Sequence, residues 1–182
     1  ARYGEAVAVL TGDALQTLAF EVLASTPERR TGTVARLVKE LAAAAGAAGV
    51  IAGQVEDIRY AAAPTRAVID FVFQHKTADL FKAACRLGAI AAGGDDDTAV
   101  DRLARFADGL GFAFQIVDDL LDAQEALADG TPELSCLAVM PADAARDWAR
   151  SLTAQAVDAL DGLPGETAPL AALADRLLTR II

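Results

Sequence analysis

Three aspartates, Asp118, Asp119 and Asp122, stand within five residues of one another in the stretch 112–122, FAFQIVDDLLD. On an α-helix, positions 118 and 122 are one turn apart and share a face, while 119 lies about 100° round the axis. Such carboxylates repel one another, and Asp is a poorer helix former than Glu or Ala. Their neighbours Phe112, Phe114, Ile116, Val117, Leu120 and Leu121 are apolar nearly all round, which reads as a buried length of helix rather than a solvated acidic stripe. Carboxylates in that setting need compensation. A hard divalent cation bound through oxygen supplies it, and Mg²⁺ characteristically shares one or two carboxylates with a substrate phosphate. Gln115, three residues before Asp118 and on the same face, adds an amide for a polar cavity.

Two further groups could take part. His75-Lys76-Thr77 lies in mid-helix sequence between Phe71 and Phe73 on one side and Leu80 and Phe81 on the other. A lysine there either snorkels to solvent or puts a point charge on a phosphate. His75 is the only histidine, which excludes a di-iron bundle needing a Glu-x-x-His on each of two helices; a packed or surface role suits it better than a ligand's. Gly53-Gln54-x-x-Asp57 reads, on residue types alone, as a helix end with polar caps. Cys85 and Cys136 have no metal-type spacing and read as small core residues in a reducing compartment.

The elements that position these groups are helices. The 182 residues suffice for one domain with a substantial core, and a composition 54% apolar but only 5% aromatic, led by Ala and Leu, favours helix over sheet. Punctuation divides the chain into six segments: about Gly4 to Leu23; Thr33 to Gly53, with a possible extension to Ile58; Pro64 to Ala92; Asp96 to Leu127; Pro141 to Gly162; and Pro169 to the C-terminus. No strand-length alternation competes with them. With 26 acids against 16 bases, net charge −10, the chain is not built to hold a nucleic-acid backbone by general charge; a bound anion needs local bases or metal cations. The longest apolar runs are Ala-rich and interrupted by charges, so neither a signal peptide nor a membrane span is expected, and a cytoplasmic protein is. The last two segments carry no chemical signal, and Trp148 reads as packing.

In order along the chain stand GDAL (Gly12 to Leu15), GQ-x-x-D (Gly53 to Asp57), HKT (His75 to Thr77) and FQ-x-x-DD-x-x-D (Phe114 to Asp122). Each is weak alone. Four in this order and spacing resemble the trans-isoprenyl diphosphate synthases, nearest to the short-chain farnesyl and geranylgeranyl type, over essentially all of the chain. The resemblance implies an all-α isoprenoid-synthase helix bundle, of which residues 1–182 form the C-terminal portion of one domain. It implies a Mg²⁺-dependent prenyltransferase that condenses isopentenyl diphosphate with an allylic diphosphate to a C15–C20 product. It further implies Asp118 and Asp122 as metal ligands, with Asp119 a ligand at second best or a group behind one. Lys76 would contact the allylic diphosphate. The Lys76 carbonyl, Thr77 hydroxyl and Gln115 amide would face the developing cation, and Gln54 would line the pocket. The GDAL helix would lie near a homodimer interface. A non-catalytic homologue acting as a partner or regulatory subunit is the alternative; a terpene cyclase on the same fold fits the second motif less well. Two departures stand out. The family's first Asp-rich motif belongs upstream of Ala1, so an N-terminally incomplete domain is expected. After Asp122, where the family has a basic loop, residues 123–136 are acidic and lack lysine.

Overall fold

The computed structural model describes residues 3–27, 31–60, 64–93, 97–125 and 134–181. Among these residues there are helices and no strand. Eight α-helices follow one another: α1 (Glu5–Ala24), α2 (Thr33–Ala45), α3 (Val50–Tyr60), α4 (Arg66–Val72), α5 (Asp79–Ala91), α6 (Asp97–Glu125), α7 (Ala142–Asp158) and α8 (Ala168–Leu178). A π-helical turn, Phe73–Ala78, joins α4 directly to α5, and short 3₁₀ turns lie at Cys136–Ala138 and Thr179–Ile181.

The axis of the bundle is α6. One side of it gives Ile116 and Leu120 to a core with Ile69, Val72 and Phe73 of the α4–π segment and with Ala145 and Ala149 of α7. The other side gives Phe106, Leu110, Ala113 and Val117 to a second core with Ala156, Leu160, Ala174 and Leu177. A helix apolar on both sides must be central, as the sequence of 112–122 indicates. Trp148 is indeed packing: its ring stacks on Phe73 at 6.2 Å and meets the edge of Phe112, with the Arg66 guanidinium 4.1 Å over it.

Local signals explain most boundaries. The Thr65 hydroxyl accepts the Val68 N–H and caps α4, and α8 opens with proline in its first turn. The expected helix from Thr33 to Gly53 is instead two helices, α2 and α3. The break falls at Gly46–Gly49, where a Cβ at Gly46 or Gly49 would sit 2.4 or 2.0 Å from a carbonyl oxygen of the preceding turn. Ala-rich sequence conceals this turn, because only the two glycines mark it. The segment from Pro64 also departs from expectation, since the π turn interrupts it. The expected end of the fourth segment at Leu127 lies outside the described residues, as do residues 126–133 of the acidic loop.

No residue of α1 is buried, and Val7, Val9, Leu10, Leu15, Leu18 and Val22 are exposed round it. By length and composition alone α1 is long and apolar enough to cross a bilayer, which the interrupted apolar runs had not suggested. Its carboxylates Asp13 and Glu21 would be costly in hydrocarbon.

Candidate active site

The site begins at the π turn. Insertion of a residue into the helical ladder at Phe73–Ala78 re-aims consecutive side chains, a device common at functional sites. Lys76 turns toward α3 and pairs with Asp57, which also accepts from Gln54 Nε2 at 3.3 Å. Thr77 turns toward α6, and its hydroxyl donates to Gln115 Oε1 at 2.9 Å. His75 is kept out of this group: its Nδ1 lies 2.8 Å from Asp79 Oδ2 and its ring 4.3 Å from that of Phe71.

Glycines let the turn sit this deep. A Cβ at Gly53 on α3 would lie 2.3 Å from the Lys76 nitrogen, and one at Gly111 on α6 would lie 2.6 Å from the Ala78 Cα. The backbone of the π turn is therefore clamped between two glycine surfaces, which fix the direction in which Lys76 and Thr77 leave it.

On α6 a chain of hydrogen bonds continues inward. Gln115 Nε2 donates to Asp119 Oδ1 at 3.3 Å, and the Cys136 N–H donates to Asp119 Oδ2 at 2.7 Å. Asp119 is 6% exposed. Burial pushes its carboxyl above the ordinary aspartate range, and the donors from Cys136 and Gln115 pull it partly back. Of the three aspartates it is the buried one, and it ties the Cys136–Ala138 turn to α6. Cys136 is fully buried and, like half-buried Cys85, is a free thiol pushed up by burial, in keeping with a core role.

Asp119 separates a hydrogen-bonding role from a charge. Asp119→Ala should cost about 1–3 kcal/mol, because the buried Cys136 N–H loses its acceptor. Asp119→Asn keeps an acceptor without the charge. A carboxyl whose folded pKa is raised favours the fold fully below its unfolded value, and that contribution is lost as pH rises through the folded value. In metal-free protein, Asp119→Asn should therefore match or exceed the wild type in stability at neutral pH and lose that advantage on acidification toward the ordinary aspartate range. Urea melts of the two variants at several pH values measure both; an Asn variant as unstable as the Ala variant at neutral pH would contradict this account.

Asp118 and Asp122 behave differently. Asp118 is half-buried, and its carboxyl is raised chiefly by burial, with a smaller push from Asp122 that marks the two charges as neighbours; Arg180 opposes both. Arg180, on the C-terminal 3₁₀ turn, donates to Asp118 Oδ1 at 3.2 Å. Asp122 is exposed. Among the described residues no three His, Cys, Asp or Glu side chains converge as a metal cage. What α6 offers instead is a pair of hard oxygen donors one turn apart, suited to Mg²⁺ that completes its shell with water and phosphate oxygens. Arg180 of the last segment meets Asp118 across 62 positions, a contact that nothing in its local sequence signals. Asp57 is likewise engaged by a distant residue, its ion-pair partner Lys76 standing 19 positions away.

An all-α bundle whose central helix carries paired carboxylates opposite a π-turned lysine and threonine has close counterparts among solved structures. A farnesyl/geranylfarnesyl diphosphate synthase from Zymomonas mobilis superposes with TM-score 0.83 at 32% identity, over 97% of this chain and 62% of that one. A Helicobacter pylori geranyltransferase complexed with magnesium and isoprenyl diphosphate gives TM-score 0.77 at 30% identity, over 98% and 61%. Among curated proteins, the large subunit 1 of a heterodimeric geranylgeranyl pyrophosphate synthase of Arabidopsis thaliana is 38% identical, over 98% of this chain and 52% of that protein. The farnesyl diphosphate synthase of Escherichia coli is 37% identical, over 98% and 65%. The polyprenyl synthetase family model matches residues 1–130. The chain belongs to the polyprenyl synthetase family, and it spans between about half and two thirds of the length of these relatives.

Proposed function

We propose that the protein to which this chain belongs is a Mg²⁺-dependent prenyltransferase that joins isopentenyl diphosphate to an allylic diphosphate and releases a C15–C20 prenyl diphosphate. The observation that carries this reading is the contact of Thr77 Oγ1 with Gln115 Oε1, which brings the HKT and FQ-x-x-DD-x-x-D motifs together across 38 residues. The relatives are named as synthases, which favours catalysis over the role of a non-catalytic partner.

Asp118 and Asp122 would hold Mg²⁺ through carboxylate oxygen. When bound, the ion supplies positive charge to a departing diphosphate. The chain's own residues supply the rest. Lys76, held by Asp57, presents an ammonium to the allylic diphosphate. Thr77 spends its proton on Gln115, so its oxygen lone pairs are what it offers an allylic cation, while Gln115 has one of its own lone pairs engaged. Exposed Gln54 lines the approach beside Asp57. Asp119 keeps the α6 carboxylates in register by anchoring the turn at Cys136. A second copy of the protein covering α1 would account for a helix apolar round its surface with nothing buried, and makes a homodimer the assembly we favour. We place it in the cytoplasm, consistent with its two free cysteines.

Incubating the intact protein with Mg²⁺, dimethylallyl diphosphate and labelled isopentenyl diphosphate tests the reading, and a labelled C15–C20 prenyl diphosphate is the expected product. No extension of the allylic substrate would sink it. Within that assay Asp122→Ala should lower turnover less than Asp118→Ala, because Asp122 is exposed whereas Asp118 is partly desolvated and more strongly felt. Equal losses in the two variants would contradict the ranking.

A further inference from the structure

A second basic feature lies on α6, in its N-terminal half. Where α6 packs on α7, a Cβ at Gly109 would lie 3.0 Å from the Leu152 carbonyl oxygen and 3.1 Å from the Ala156 Cβ. Beside that contact is a cleft of about 440 Å³, within the range of small-molecule sites. Arg102 and Arg105 line it from one face of α6, being three residues apart.

These two, together with Arg176, stand apart from the other described arginines. In a protein with 26 acids to 16 bases, Arg59, Arg66, Arg86, Arg146, Arg150 and Arg180 each sit on a carboxylate. Neither Arg102 nor Arg105 makes a hydrogen bond or ion pair among the described residues, although carboxylates are close. Asp108 shares the cleft but is committed elsewhere, to Lys82 at 2.7 Å and to Gln74 Nε2 at 2.9 Å. Asp158, exposed, is the other acid of the lining. With Asp108 bound to Lys82, which also reaches Asp79 at 3.6 Å, the two guanidiniums face Asp158 across this cleft, while Asp101 borders Arg105 on the adjoining side. Arg102 is also given room: Gly162, at φ +72°, would bring a Cβ within 3.1 Å of its Nη1. The opposite wall, of Leu152, Ala156 and Ala159, is apolar.

We propose that this cleft is an anion-binding site for a phosphate- or diphosphate-bearing small molecule, with Arg102 and Arg105 on the anion and the Leu152–Ala156–Ala159 wall against an apolar portion. Two guanidinium forks on successive turns match an anion that offers several oxygens. The site is separate from Lys76 and the α6 aspartates and does not depend on the function proposed for them.

The test is titration calorimetry of the intact protein, freed of metal with chelator, against inorganic diphosphate and, separately, inorganic phosphate. We expect binding that survives Lys76→Ala, weakens at least about tenfold in Arg102→Gln/Arg105→Gln, and recovers in part in the corresponding double Lys variant. Circular dichroism checks the fold of each. Should the double Gln variant unfold, Arg105→Gln alone, at an exposed position, should still weaken binding severalfold. The proposal is overturned by no binding of either anion at millimolar concentration. Binding that is indifferent to both Gln variants, or that Lys76→Ala alone abolishes, overturns it equally. Diphosphate binding far more tightly than phosphate identifies the two-centre anion as the ligand; equal affinities identify a single phosphate group.

Discussion

Asp118→Ala in the intact protein is expected to lower turnover by about 10²–10³-fold, the scale on which removing one preorganised electrostatic contact slows a reaction, while changing Tm by less than about 4 °C. The two halves of this expectation rest on different observations. Asp118 has one described side-chain partner, Arg180, and that pair is 46% and 32% exposed. Ion pairs so placed stabilise by at most about 1 kcal/mol. The carboxylate is nonetheless pushed up by burial and by Asp122, so it stands where a cation is wanted and the fold alone only partly provides one. Lys76→Ala should give a loss of similar order, since it removes the ammonium and frees Asp57. Steady-state incorporation of labelled isopentenyl diphosphate, read beside thermal melts, separates chemistry from folding. Unchanged turnover in either variant would remove that residue from the site, and activity lost only through unfolding would convert Asp118 into a structural residue. Asp119→Ala is the contrast, because its first effect should be on stability.

The difference between neighbouring aspartates was partly legible in the sequence. Asp119 lies three residues after Ile116 and one before Leu120, both core residues, so the apolar stripe that buries them carries Asp119 inward. Asp118 and Asp122 lie on the other arc. The helical fold, the centrality of 112–122 and the packing role of Trp148 follow from residue type and period in the same way, whereas Gln115, expected on the face of Asp118, donates to Asp119 instead. What was not legible depends on contacts between distant segments. Arg180 reaching Asp118, Lys76 reaching Asp57 and the Cys136 N–H reaching Asp119 leave no local trace. The π turn is likewise hidden, because an i→i+5 ladder is selected by the surfaces on which the helix packs and not by the composition of Phe73–Ala78.

Those surfaces give the second large effect. Gly53→Ala and Gly111→Ala should each destabilise the protein by about 1–3 kcal/mol, the cost of forcing a methyl into a filled core. The corresponding fall in Tm is about 2–12 °C. At Gly53 the new Cβ would meet the Lys76 nitrogen at 2.3 Å, and at Gly111 the Ala78 Cα at 2.6 Å. In both cases the obstacle is chiefly backbone, which cannot rotate away as the end of a side chain can. The π turn must therefore shift, and the Lys76–Asp57 and Thr77–Gln115 contacts shift with it. Turnover should fall further than the melting temperature implies: at a temperature where each variant remains fully folded, a loss of about tenfold or more is expected, since small misplacements at a site are costly. Gly88→Ala is the control, because a Cβ there meets nothing within 4 Å and alanine is the better helix former. It should keep full activity and melt no lower than the wild type. If Gly53→Ala folds and turns over like Gly88→Ala, the close approach of α3 to the π turn does not position Lys76, and the lysine's role must be explained from Asp57 alone.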